Sequence, residues 1–182
     1  MKLTIGILSI FLVSITGFSG STQKVLKTTT AKVGFFSTAP LENIEAVSEK
    51  GISILIPQTG EISFLVHIKT MKFPKALMQE HFNENYMESE KFPTASFKGK
   101  IMNLPDLSQK GEISLMLSGI LEIRGIKKKR NIPAVLEVKD NRINLKSEFK
   151  VACEDYNIKI PTLLWKNIAE VVEVSVNANY QK

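Results

Sequence analysis

The chain has 182 residues, 24 Lys and Arg against 18 Asp and Glu, and a formal net charge of +6. That is a one-domain length, and a chain of this size buries roughly two thirds of its unfolded surface, so it needs neither a disulfide nor a metal to hold a core. The lone cysteine, Cys153, excludes an intrachain disulfide, and cations scattered without interleaved stacking aromatics exclude a recognisable nucleic-acid module.

The N-terminus reads as a targeting segment. Lys2 is followed by the apolar run Leu3 to Val13, too short to span a bilayer comfortably. Gly17-Phe18-Ser19 and Ser19-Gly20-Ser21 offer small residues at cleavage positions. The expected division is a signal peptide over residues 1–22 and one exported domain over 23–182, periplasmic or secreted. No cysteine lies near the cleavage site, which excludes a lipoprotein anchor.

Strand signals follow. Thr28 to Ser37 is β-branched and aromatic, with Ala31, Val33 and Phe35 on one face. Leu41 to Ala46 reads as one helical turn at most. Val47 to Ile56 and Glu61 to Lys69 flank the turn residues Pro57-Gln58-Thr59-Gly60, a β-hairpin pattern. In its second arm Ile62, Phe64, Val66 and Ile68 share a face. Pro74 opens a helical run, Lys75 to Met87, with Met78, Phe82 and Tyr86 spaced four apart on one side. Lys91-Phe92-Pro93 breaks it, and Thr94 to Ile101 alternates again.

From there the pattern is strand only. Leu104-Pro105-Asp106 is a loop. Glu112 to Arg124 places Ile113, Leu115, Leu117, Leu121 and Ile123 on one face. Gly125 to Asn131 reads as a turn carrying charge, Ile132 to Lys139 as the next strand, and Asp140-Asn141 as a tight hairpin signal. Ile143, Leu145, Phe149 and Val151 continue the alternation. Pro161 to Asn167 holds the only Trp, and Glu170 to Tyr180 ends the pattern with Val172, Val174, Val176 and Ala178 on one face.

These elements predict an all-β fold with one main helix: an eight-stranded antiparallel barrel, closed because open edges would be sticky. At about eight strands the interior is filled by side chains or holds one small ligand. Phe64, Val66, Ile68, Phe97, Leu115, Leu117, Leu145 and Phe149 point inward in either case. The pattern alone does not separate a packed barrel from a hollow one.

Chemical motifs are sparse. His67 falls on the outward side of its strand. His81 and Glu84 stand one turn apart, but one such pair is a poor metal site, and a solvated helix face is the ordinary explanation. There is no G-x-S-x-G elbow, no phosphate loop and no H-E-x-x-H. Cys153, flanked by Phe149 and Val151, reads as a small buried side chain. Arg124, Lys127, Lys128, Lys129 and Arg130 form a cationic run at a predicted hairpin tip. Such a tip serves solubility, or meets an anionic membrane surface.

The segments Ala31 to Ala46, Phe73 to Ser89, Lys91 to Gly99 and Asp155 to Pro161 resemble the YceI-like family of exported lipid-binding barrels, in its Bacteroidetes-type form. The resemblance covers nearly all of the chain after the signal. It implies a lipocalin-like barrel that carries a polyisoprenoid or similar long amphiphile; from the sparse motifs, no catalytic residue, metal or cofactor is expected. Where many members read G-x-L-T-I-H-G-V-T-K, this chain has Gly119-Ile120-Leu121-Glu122-Ile123-Arg124-Gly125-Ile126-Lys127-Lys128. Arg124 replaces that histidine and Lys127 that threonine, so neither role carries over. A first-strand histidine of wider members is also missing beside Thr30-Ala31.

The cavity lining expected on this reading is Phe35, Phe64, Val66, Ile68, Met78, Phe82, Tyr86, Phe97, Leu115, Leu117 and Phe149. The expected partner is a long-chain isoprenoid or fatty amphiphile, with transient membrane contact through Arg124, Lys127, Lys128, Lys129 and Arg130; a homodimer is left open. The alternative is a structural or stress-protective module that acts through its basic surface with no ligand inside.

Overall fold

The computed structural model describes residues 23–38, 43–160 and 169–182. The expected signal peptide, Leu41 and Glu42, and the Trp-bearing stretch 161–167 lie outside them. Eight strands run in chain order around a closed barrel: β1 (Leu26–Ser37), β2 (Ile44–Ile56), β3 (Glu61–His67), β4 (Thr94–Ile101), β5 (Gly111–Ile123), β6 (Ile126–Val138), β7 (Arg142–Ala152) and β8 (Val171–Gln181). Every pair is antiparallel, and β8 returns to β1 in the register Phe35↔Val174. Closure leaves no edge strand exposed.

The elements differ from the sequence reading in three places before β4. β2 already begins at Ile44, inside the stretch read as a helical turn. β3 ends at His67, and Ile68 to Thr70 form a short 3₁₀ turn instead of more strand. The helical run is also divided: α1 (Ala76–His81) passes into a wider π turn, Phe82–Tyr86. No side chain caps its first turn and none of its residues is buried. A helix this short and uncapped is held by tertiary contact and not by propensity.

The cationic run is not a hairpin tip. Residues 124 and 125 alone make the turn, with Arg124 at φ +50° and Gly125 at φ +72°, and Ile123 pairs with Ile126 directly across it. Positive φ at both central residues matches the twist of two-residue hairpins. The next four cations are strand, paired along β5, with Lys127 opposite Glu122 and Lys128 opposite Leu121. Sequence alternation missed this because Ile126 is the only apolar residue before Ile132.

β6 leaves β7 early. Their ladder covers only Val135 to Val138 against Ile143 to Lys146. Pro133 has no N–H to extend it, and its carbonyl instead accepts the Ser147 hydroxyl at 2.7 Å. Beyond that point side chains close the seam: Arg130 donates to the Lys150 carbonyl at 2.7 Å, and Lys128 to the Asp155 carboxylate at 2.7 Å.

β4 and β5 approach closely at the cross-strand pair Gly99↔Gly119. A Cβ on Gly119 would sit 2.3 Å from the Lys98 carbonyl oxygen, and one on Gly99 would sit 2.4 Å from that of Ser118. The Phe97 ring covers both glycines, a device that restores packing where a sheet bends.

One end of the barrel is solid. Leu26, Leu55, Ile62, Ile101, Leu136, Ile143 and Leu145 fill it with Tyr180. Ser53 donates to the Ser63 carbonyl at 2.8 Å, so the buried Tyr180 hydroxyl is left to donate to Ser53 Oγ at 2.6 Å. A buried phenol satisfied this way costs little and fixes β8 on β2.

Candidate ligand cavity

The other end is hollow. It contains a cavity of about 490 Å³ under α1, within the range of small-molecule pockets. Phe35, Phe64, Val66, Ile68, Met78, Phe82, Tyr86, Phe97, Leu117 and Phe149 all stand on its wall. Strand alternation brings the strand residues there, and fourfold spacing aims Met78, Phe82 and Tyr86 down from the helical run.

Leu115 does not reach it. The residue pairs with Ala134 in the packed half of the barrel, half-buried against the main core, and borders a shallow surface pocket with Met102 and Pro105. β5 is 13 residues long, so its inward positions run from the solid end to the hollow one. Leu117 and Leu121 lie on the hollow side. Alternation identifies the face of a strand but not the height along it.

Sequence reasoning also missed much of the wall. Val172, Val174 and Val176 of β8 line it, as do Val151 and Cys153 at the end of β7. Their period-2 pattern was readable, yet nothing in it marked the hollow end. Met71, Phe73 and Met87 come from irregular segments with no periodic signal.

A ring cluster holds the lid. Phe35 of β1 stacks on Phe82 at 5.3 Å between centroids, and Phe73 meets both, at 5.8 and 4.9 Å. Such pairs contribute about 0.5–1.5 kcal/mol each beyond their buried area. They form a small core with Ala46, Val66 and Met71, separate from the main one. Leu77, on the far side of α1, is 61% exposed. His81, expected on the solvent side of the helix, is exposed but also stands on the cavity rim.

The cavity carries little charge. Among the described residues its wall has no Asp, Glu, Lys or Arg. Burial first, and then the nearby Glu170 carboxylate, push the Cys153 thiol up, and burial together with Cys153 does the same to the Tyr86 phenol. Both therefore stay protonated and neutral at physiological pH. Cys153 shows none of the cationic neighbours that activate a thiol. Among the described residues no three His, Cys, Asp or Glu side chains gather as a metal would require.

The cations of the β5–β6 hairpin face other groups. Arg124, with a side chain only 11% exposed, pairs with Glu88 and donates to the Asn157 carbonyl. Its guanidinium also lies 5.5 Å from the Phe92 ring centre. Lys128 and Arg130 close the seam described above. Lys127 and Lys129 point outward, Lys127 3.8 Å from Glu122.

The model of the YceI-like domain matches residues 13–180. The chain belongs to the YceI-like family. Among solved structures, a polyisoprenoid binding domain from Saccharophagus degradans aligns with a TM-score of 0.75 at 13% identity, covering 87% of this chain and 98% of that one. BcnA of Burkholderia cenocepacia aligns at 0.70 and 13% identity, over 82% of this chain and 95% of its own. The YCEI protein of Campylobacter jejuni covers all of this chain and 91% of itself, at 0.57 and 12% identity. At such identities the likeness concerns the fold alone. No curated protein matches the sequence. The YceI-like barrel described here is thus closed and antiparallel, solid at one end and hollow at the other.

Proposed function

We propose that this YceI-like protein is an exported, non-catalytic carrier that holds a long-chain lipid of the isoprenoid kind in its barrel. One observation carries the reading: a cavity of about 490 Å³ walled by aliphatic and aromatic side chains and covered by a thinly anchored helix. Apolar ligands are held by removing their surface from water, at about 25 cal/mol per Å². A lid that opens at low cost lets a ligand in and out. The polyisoprenoid-binding character of the Saccharophagus degradans domain supports the choice of ligand class. The apolar segment ahead of the barrel supports export.

Protein made with its own N-terminal segment and recovered from the extracytoplasmic fraction is to be extracted with organic solvent and analysed by mass spectrometry. A stoichiometric single-chain lipid is expected. Protein that retains no lipid, and takes up none from added isoprenoids, would rule the carrier out.

A further inference from the structure

We infer that the lipid held in the cavity ends in an uncharged hydrogen-bonding group, such as a hydroxyl, carbonyl or amide, seated at the mouth beside Tyr86 and Cys153. The inference rests on the carrier reading above and narrows its ligand.

The wall offers an anionic head no compensation. Its described residues include no Asp, Glu, Lys or Arg, and His81 stands only at the rim. Moving a carboxylate or phosphate into such surroundings without a paired cation is strongly unfavourable. Three cations on segments near the mouth are already engaged: Arg124 with Glu88, Lys128 with Asp155, and Lys69 with Glu90. Recruiting any of them would break an existing pair.

An uncharged head does find partners. Three polar side chains of the wall belong to elements that meet at the mouth. Ser37 ends β1 and accepts the Ala169 N–H at 3.1 Å. The Cys153 thiol, just past β7, lies 4.0 Å from the carbonyl oxygen of the same Ala169. Tyr86 hangs from the lid onto the same cavity wall as Cys153. The remaining polar wall positions fit less well: Ser147 already donates to Pro133, and the bottom of the cavity is Leu117, Ile132 and Leu145. A ligand therefore meets mostly apolar wall along its tail and a cluster of neutral polar groups, Ser37, Tyr86 and Cys153, at the mouth.

The test uses the full folded barrel and defined probes. Farnesol, farnesyl phosphate and farnesene share one tail and differ in the head. Each is titrated against protein loaded with the neutral dye N-phenyl-1-naphthylamine. Farnesol is expected to displace the dye at least thirtyfold more effectively than farnesyl phosphate. Tyr86→Phe is expected to shrink the advantage of farnesol over farnesene about fivefold. Farnesyl phosphate equal to or better than farnesol would overturn the neutral head while leaving the carrier intact. An unchanged farnesol-to-farnesene ratio in Tyr86→Phe would overturn the seat at Tyr86. Failure of the dye and all three probes to bind would overturn the carrier reading itself.

Discussion

Arg124 shows how far one residue can depart from its sequence reading. In the linear pattern it heads a cationic run, and a solvated or membrane-facing tip is the natural expectation. The fold gives it φ +50°, an unfavourable conformation for a residue with a Cβ. What holds it there is visible: the Glu88 carboxylate after the lid, the Asn157 carbonyl after β7, and the Phe92 ring. Three segments of the hollow end are tied through one guanidinium. Removing one partner of a buried pair costs roughly 3–5 kcal/mol, and Glu88 remains partly in water, so Arg124→Ala should cost about 2 kcal/mol. Arg124→Lys should recover less than half, since an ammonium lacks the planar fork that reaches two acceptors. Urea unfolding of both variants measures this, and an Arg124→Ala midpoint matching the wild type would show the tie to be idle. His81, exposed on the rim, is the contrast: His81→Ala should stay within about 0.5 kcal/mol.

At the scale of elements, the strands were legible and the cavity only half so. Period-2 alternation follows from which face is buried, so Phe64, Val66, Phe97, Leu117 and Phe149 could be placed inward from sequence. Whether an inward residue faces a ligand space or a packed core depends on its height along the barrel, which comes from strand stagger and from how the ends are covered. Leu115 fell on the wrong side of that division for this reason. Met71 and Phe73 were invisible for another: a connecting segment has no period to read. The lid is the least secured element. It lacks a cap and buries no residue fully, and the Phe35–Phe73–Phe82 cluster is its main anchor. Phe82→Ala should therefore cost about 2 kcal/mol, below the usual range for a fully buried phenylalanine. The larger effect should be local. Amide exchange should speed up at least tenfold over residues 76–86 and change little in β7 and β8. Uniformly faster exchange across all strands would mean that the ring cluster supports the whole barrel and not the lid.

The whole molecule divides its interior between stability and function. The packed end carries Leu136, Leu145 and Tyr180, all fully buried. The hollow end gives up such packing to keep space. This division makes a prediction about pH. Burial raises the pKa of Tyr180, Tyr156 and Tyr86 above the ordinary 10.0, and that of Cys153 above 9.0. In the unfolded chain these groups lose their protons near the ordinary values; in the folded barrel they keep them to higher pH. Between the two, the unfolded state binds fewer protons, so stability falls as pH rises. The contribution is complete below about pH 8.5 and erodes through the thiol range and then the phenol range. The melting temperature should therefore hold level from pH 7 to 8.5 and drop steadily to pH 11. Burial raises Tyr180 furthest of the four, so it should dominate. Tyr180→Phe removes its hydrogen bond to Ser53, a loss of about 1 kcal/mol at neutral pH, yet should flatten the decline above pH 10. If the variant declined as steeply as the wild type, the alkaline loss would arise elsewhere, and Tyr156 at the seam between β6 and β7 would be the next phenol to replace.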